Sequence, residues 1–381
     1  MKKNIIKSLV LVITTALFMS CQEVIFDTIR NEVKLSDAKV SGDIQSITRF
    51  EISGNEYLYS ANFRIWKKDV TEATNGNPTL ITPSKSLWEK SSKPSGSIVK
   101  TAADSTYLYA LSYTFEDDEE QGEHVITDKS LFCTEDGETW DKINFEALAN
   151  AHKDFDNSVV LFCTNTPKIE NRHAFINIEG KLYSLNGSNE PTEVTENASN
   201  VYIKTSENDT SDINNAKSAT VLEGKTYFSR YEGMISNETR DKDATYIYCG
   251  INDDIGYFTS GFTYFETKDP GVSSIYSIAY LKDCLLLGTN SGIEKVSFSK
   301  ESGQENIPTN ETSSFNSNAD STLSSYYQIF NILVVDPSKG ELEGDIYGST
   351  VFDGSSSSTA ATSNNVGLWA YYPSRGKWNR E

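Results

Sequence analysis

Residues 274–298 read SIYSIAYLKDCLLLGTNSGIEKVSF. Apolar and β-branched runs alternate here with short polar breaks at Lys282-Asp283 and Asn290-Ser291-Gly292. Runs of that length and composition, bounded by Asp, Asn, Ser and Gly, spell strand, turn, strand, turn, strand. No run is long enough for a helix, and the middle one (CLLLGT) is apolar throughout, as a strand buried on both faces requires.

Weaker copies of the pattern recur along the chain. They start at Ile44 (IQSITRFEISGNEYLYSANFRIWKK, turning at Ser53-Gly54-Asn55), Ser97 (SIVKTAADSTYLYALSYTF), His173 (HAFINIEGKLYSLNG, turning at Glu179-Gly180), Lys217 (KSATVLEGKTYFSRYEGMI, turning at Glu223-Gly224) and Ser325 (SYYQIFNILVVDP). Most starts lie about 40 to 60 residues apart, a period that belongs to propeller blades, with one wider gap between Ser97 and His173. The expected fold is therefore all-β: a single β-propeller over 44–381, of six to eight four-stranded blades, seven fitting the spacing best. Four polar stretches, 115–125, 206–215, 299–321 and 355–365, are expected as long rim loops. One helix is expected over 144–155 (NFEALANAHKDF), with Asn144 as its N-cap.

Composition sets outer bounds. The 381 residues include 20 Tyr and 18 Phe, enough to fill a core. Acidic residues outnumber basic ones 54 to 34, for a net charge of −20. So negative a surface repels phosphate backbones and argues against nucleic acid as a partner. No Cys/His set has zinc spacing, so no metal is assigned, and no Walker loop, GxGxxG, GxSxG or HExxH points to a cofactor or a known catalytic apparatus. Cys133, Cys163, Cys249 and Cys284 are widely spaced, three of them at the ends of apolar runs, and read as buried free thiols.

The first residues, MKKNIIKSLVLVITTALFMSC, place Lys2, Lys3 and Lys7 before an apolar run that ends at Ser20-Cys21. Positive, apolar, small is the order of a secretory signal, and the run is too short to span a bilayer convincingly. Leu17-Phe18-Met19-Ser20-Cys21 resembles the lipobox of bacterial lipoproteins, with Phe18 where that pattern usually has Leu. The resemblance implies removal of 1–20, acylation of Cys21 (palmitate among the chains), a tether over 21–43 and a place in the bacterial cell envelope. Gln22 and Glu23 lack the Asp that marks inner-membrane retention, which favours the outer membrane. Loss of three lysines from a net −20 leaves −23, so a lipid and not charge would hold the protein to a membrane.

Thr134-Glu135-Asp136-Gly137-Glu138-Thr139-Trp140 resembles the Asp-box of sialidase-like propeller repeats. In that family the box is architectural, so Thr134, Asp136, Gly137 and Trp140 are expected to build a turn and not to catalyse. Phe63-Arg64-Ile65-Trp66 approaches the Phe-Arg-Ile-Pro motif of sialidases, with Trp66 in place of Pro. Their chemistry would need Arg64 to meet two more arginines, drawn from Arg172, Arg230, Arg240 and Arg375, beside a Tyr/Glu pair and an acid/base Asp. The acidic run Glu116–Glu120 lacks the alternation of an ordered calcium loop and reads as solvated. Trp369, Tyr371, Tyr372 and Trp378 read as the last strands of the ring. The expected function is a lipid-anchored, non-catalytic binding or scaffold module for a protein or glycan partner. The alternative is a carbohydrate-active enzyme of the sialidase-like propeller type.

Overall fold

The computed structural model describes residues 40, 42–74, 87–118, 123–153, 159–164, 169, 172–179, 181–193, 203–204, 210–211, 216–222, 225–230, 245–252, 258–267, 275–282, 284–289, 292–298, 308–315, 328–336, 344–351, 366–373 and 377–381, with 118, 123, 203–267, 275, 298, 308–312, 314, 351 and 377 as backbone only. The lipobox, Cys21 and the 355–365 stretch lie outside them.

The described chain is all-β, and its strands form antiparallel sheets in which each strand pairs with the next in sequence. The first sheet holds β1 (Ser46–Ile52), β2 (Asn55–Ala61), β3 (Ile65–Asp69) and, after a turn of helix α1 (Thr71–Thr74), β4 (Glu89–Lys90). The second holds β5 (Ser97–Ala103), β6 (Leu108–Asp118), β7 (Glu123–Thr134) and β8 (Asp141–Ile143), followed by α2 (Glu146–Ala149). The third is β9 (Val159–Cys163), β10 (Ala174–Ile178), β11 (Lys181–Ser184) and β12 (Thr192–Glu193). A small hairpin, β13 (Ile203–Lys204) with β14 (Thr210–Ser211), precedes the fourth sheet: β15 (Ala216–Leu222), β16 (Lys225–Arg230), β17 (Thr245–Asn252) and β18 (Phe258–Thr267). The fifth is β19 (Ile275–Leu281), β20 (Cys284–Thr289), β21 (Gly292–Phe298) and β22 (Pro308–Ser314), and the sixth β23 (Gln328–Val334), β24 (Ile346–Val351), β25 (Gly367–Tyr372) and β26 (Lys377–Arg380).

The first strands lie side by side in sequence order, β1 on β5, β5 on β9, β9 on β15, β15 on β19 and β19 on β23, and β23 in turn lies against β1. They begin at nearly even intervals of about 50 to 60 residues. The wide gap in the sequence pattern disappears, because the copy at His173 opens on a second strand, β10, and its first strand is β9.

Strand alternation explains how a first strand joins two neighbours. Ser46 and Thr48 of β1 bond to Thr101 of β5, and Phe50 packs with Ile98 and Ala103. Ile47 and Arg49, on the opposite face, meet the sixth sheet at Leu333, Val335 and the Val334 carbonyl. Both faces of β1 are therefore buried.

The first and sixth sheets share one core, in which Val40, Ile44, Leu58 and Trp88 pack with Tyr347, Leu368 and Tyr372. Val40 N–H also donates to the Glu381 carbonyl. Inside this core sits a lysine. Lys68 Nζ donates to Tyr372 Oη and, at 2.9 Å, to Glu381 Oε2, and lies over the rings of Trp88, Tyr347 and Tyr372. Glu381 also accepts from Trp88 Nε1 (2.8 Å) and Tyr372 Oη (2.7 Å). Trp369, Tyr371, Tyr372 and Trp378 are all buried in the sixth sheet or against its neighbours.

Three local expectations are corrected. The helix over 144–155 is a single turn capped by Phe145, whose side chain makes no capping bond, and Asn144 lies before it. Its apolar residues are too few to bury a longer helix: only Leu148 within it is buried. The polar stretch 115–125 is in large part strand, with Phe115 paired to Ile126 and Asp117 to His124, so the acidic run Glu116–Glu120 begins as the end of β6. The stretch 299–321 contains β22, whose sequence PTNETSS is polar because it is the outermost strand of its sheet.

Candidate functional site

The first strands of five sheets line one pocket. Its wall carries Gln45, Ser46 and Thr48 from β1 and the residue before it, Lys100 and Thr101 from β5, Phe162 from β9, Tyr276 and Ser277 from β19, and Phe330 and Asn331 from β23. A backbone device recurs at this level. In four of the six sheets the first strand slips register against the second by one extra residue: Val99, Lys217, Tyr276 and Phe330. Such bulges bend a strand and turn a side chain out of its normal alternation. Two of the four bulge residues border the pocket, and their rings stack on one another, Tyr276 on Phe330, with centroids 4.3 Å apart and planes at 8°.

On the same pocket wall, hydroxyls stitch β1 to β5. Thr101 Oγ1 lies 2.9 Å from Ser46 Oγ and 3.1 Å from Thr48 Oγ1, Thr48 donates to the Thr101 carbonyl (2.9 Å), and the Thr101 N–H donates to Ser46 Oγ (2.7 Å). Asn331 Nδ2 donates to the Ile44 carbonyl and to Ser349 Oγ. Ser277 is buried, and its hydroxyl has no hydrogen-bond partner among the described residues. The pocket has a volume of about 40 Å³, room for roughly three waters.

A second cluster lies behind β1 and is ionic. Glu56, at the start of β2, accepts from Arg49 Nε at 3.0 Å and from Arg172 Nη2 at 2.9 Å on each oxygen. All three side chains are almost fully buried. Arg49 Nη1 reaches the Val334 carbonyl at 3.4 Å, so the cluster ties the first, third and sixth sheets. Burial lowers the Arg49 pKa, and Glu56 opposes that shift. Two guanidiniums share one carboxylate here, with Asp336 a further acidic group acting on Arg49, which suits a brace.

The turn between β7 and β8 carries Thr134, Asp136, Gly137 and Trp140. Asp136 Oδ1 accepts from the backbone N–H groups of Glu138 and Thr139 and from Thr134 Oγ1, each at 2.8 Å. These bonds hold the Asp136 carboxyl well below the usual carboxylate range. The N–H of Gly137 donates to Thr134 Oγ1, with φ at +73°. A Cβ there would meet Tyr59 Oη at 2.9 Å and Ile52 at 3.2 Å, so only glycine lets the turn press on the first sheet. Trp140 packs against the core cluster that holds Phe50, Tyr59 and Ile98, and its Nε1 donates to Ser92 Oγ.

Arg64 is exposed in the loop between β2 and β3. Arg172 is bound to Glu56 at the other end of β2, a strand of seven residues, hence about 20 Å away along it. The two arginines nominated for one anion-binding site are thus held apart. Arg230, Arg240 and Arg375 lie outside the residues whose side chains are described. Cys133, Cys163 and Cys284 are buried thiols outside any disulfide among the described residues, and burial pushes the Cys133 thiol up to about 11.

The pocket and the ionic brace were not legible as sites in the sequence. Arg49 offered the best signal: a charged residue between apolar positions of a strand buried on both faces must find a counter-charge. Lys100, Tyr276 and Phe330 gave none, since a bulge leaves no mark in composition.

No protein-family model and no curated protein matches the chain. Among solved structures, it is similar to a putative oxidoreductase (glucose dehydrogenase) of Thermus thermophilus, with 12% identity, 88% of this chain and 97% of that one covered, and a TM-score of 0.42. It is similar to the PQQ-bound aldose sugar dehydrogenase of Streptomyces coelicolor, with 10% identity, coverage of 88% and 96%, and a TM-score of 0.43. It is also similar to the Cps50 (Swd1) β-propeller domain of Myceliophteria thermophila, with 10% identity, coverage of 84% and 96%, and a TM-score of 0.39.

Proposed function

We propose that this chain is a lipid-anchored protein of the bacterial cell envelope whose body is a single closed propeller of six four-stranded blades, used as a non-catalytic binding module. The cyclic packing of the six first strands, with β23 returning to β1, is the observation that carries the propeller reading. On that reading the pocket lined by the first strands of five sheets is axial, where a ligand meets a rigid wall. A binding role is favoured over glycoside chemistry because Arg64 and Arg172 stand at opposite ends of β2, and Arg172 already neutralises Glu56.

The anchor rests on Ser20-Cys21 after the apolar run, and the partner is a protein or glycan met at the membrane surface. Labelled palmitate supplied to expressing cells should enter the wild type and not Cys21→Ala, while crosslinking on intact membranes should capture the partner. Retention of label in Cys21→Ala would refute the anchor. A glycosidase turnover abolished by one point substitution would refute the binding role.

A further inference from the structure

We infer that the projecting end of the β6–β7 hairpin takes up an extended, lysine- or arginine-rich segment of a partner protein as an added strand. This rests on the binding-module reading and names its partner class. The hairpin outruns its sheet. β5 pairs with β6 from Leu108 to Tyr113, and β8 pairs with β7 from Leu131 to Cys133. Beyond Tyr113, residues 114–118 pair with β7 alone among the described strands, over a run of about 17 Å. Strand addition along β6 would continue the line that β5 leaves.

Exposed apolar side chains collect at the same place. Three large hydrophobic residues are exposed among the described ones, and two of them are here, Phe63 (44%) and Val125 (41%). Phe63 is held at a φ of +64°, a strained value for so large a side chain, by hydrogen bonds in both directions with Ile98 of β5. Its ring meets that of Phe115 edge-on, near the start of the run that β5 leaves uncovered. Neighbouring residues of a strand face opposite ways, so Phe115 and Asp117 share one face while Glu116 and its partner Val125 share the other. Each face thus sets an apolar side chain beside an acid, Asp117 being shared with the exposed His124 at 2.6 Å.

Charge selects the occupant. Residues 116–123 include six acidic residues and no lysine or arginine. A second copy of this hairpin would bring like charges together, which guards the edge against self-association and against acidic partners. A strand that carries cations and apolar residues on both of its faces is matched on both.

Fluorescence anisotropy with the full chain in detergent tests this, using a labelled peptide that repeats Lys-Lys-Val-Val and so places both residue types on each face of a strand. Two controls have the same length. One has proline for one valine of each pair, which keeps the charge and prevents a ladder, and the other has glutamate for every lysine. At physiological salt the Lys/Val peptide should bind, the proline peptide about tenfold more weakly or worse, and the glutamate peptide not measurably. Phe63→Asn, which removes the ring and tolerates a positive φ, and Val125→Lys should each weaken binding by about fivefold or more, with thermal melts confirming the fold. The peptide controls need no variant, so they decide the matter even where a substitution unfolds the chain. No binding of the Lys/Val peptide, equal binding of the proline or glutamate peptide, or full binding by both folded variants would each overturn the proposal. So would a dimer, seen by sedimentation, that Val125→Lys dissociates. None of these results bears on the lipid label at Cys21 or on a glycosidase turnover, so the two readings fail separately.

Discussion

At Glu56 one buried carboxylate accepts from two buried guanidiniums, and removal of its charge takes from both the partner they share. Glu56→Gln should therefore lower stability by about 3 to 5 kcal/mol, read from denaturant melts, while a conservative change at an exposed acid such as Glu72 should fall within about 0.5 kcal/mol. Asp136 behaves differently because it is exposed and its partners are backbone N–H groups. Its carboxyl is held below its unfolded value, so its contribution is full above about pH 4 and fades as the pH falls further. Asp136→Ala should reduce the melting temperature at pH 7, and the gap to wild type should narrow steadily below pH 4. A gap independent of pH would show that the turn draws nothing from the charge. These two carboxylates differ in legibility. Asp136 was readable because its partners are within three residues, whereas Arg172, one of the two arginines bonded to Glu56, lies 116 residues away beside another sheet.

The strands divide by position in the sheet. Among the first and second strands, VVLFC in β9 and CLLLGT in β20 are buried throughout and stand out as apolar runs. Outermost strands are short or polar, EK in β4, TE in β12 and PTNETSS in β22, and vanish into the loops around them. That is why the six repeats were traceable from their inner strands, while the polar stretches 115–125 and 299–321 read as excursions. The bulges were equally invisible, because an extra residue changes register without changing composition. Where sheets press together, small residues become compulsory. A Cβ on Gly288 of β20 would stand 2.5 Å from the Ile329 carbonyl of β23 and 2.4 Å from Ser277 Oγ. Since the first of these is backbone, the fifth and sixth sheets would have to part. Gly288→Ala should cost about 1 to 3 kcal/mol and, by shifting Ser277 and its neighbour Tyr276, should disturb the pocket as well. An unchanged melt would refute close contact between these two sheets at Gly288.

Over the whole molecule, the first and last sheets are joined by one buried lysine and its aromatic surroundings. Burial alone would lower the Lys68 pKa, but Tyr347 and Glu381 hold it above the ordinary lysine value. A group raised in this way contributes fully below its unfolded pKa, near 10.4, and loses that contribution only as pH rises through the folded value. The phenol of Tyr347 is itself pushed up by burial, to about 12, so the cluster keeps its charge state through the neutral range. Lys68→Met should lower stability by about 3 to 5 kcal/mol, the cost of leaving the mostly buried Glu381 without its cation. The deficit should be the same at pH 6 and pH 9 and shrink only above pH 10. The sequence predicted that the C-terminal aromatics belong to the last strands, but not that a lysine would be buried among them.

The closing cluster also dictates an order of events. Lys68 and Glu381 stand 313 residues apart in the chain, and Trp88 and Glu381 293. At 5 to 20 residues per second of synthesis, the first sheet waits about 15 to 60 seconds for the strands that cover it. Throughout that interval Val40, Ile47 and Leu58 face water, and Lys68 has no counter-ion from the sixth sheet. The first sheet to be made is thus the last to be finished, and a nascent chain stays open at its leading end until its trailing end arrives. Contacts so distant in sequence slow folding.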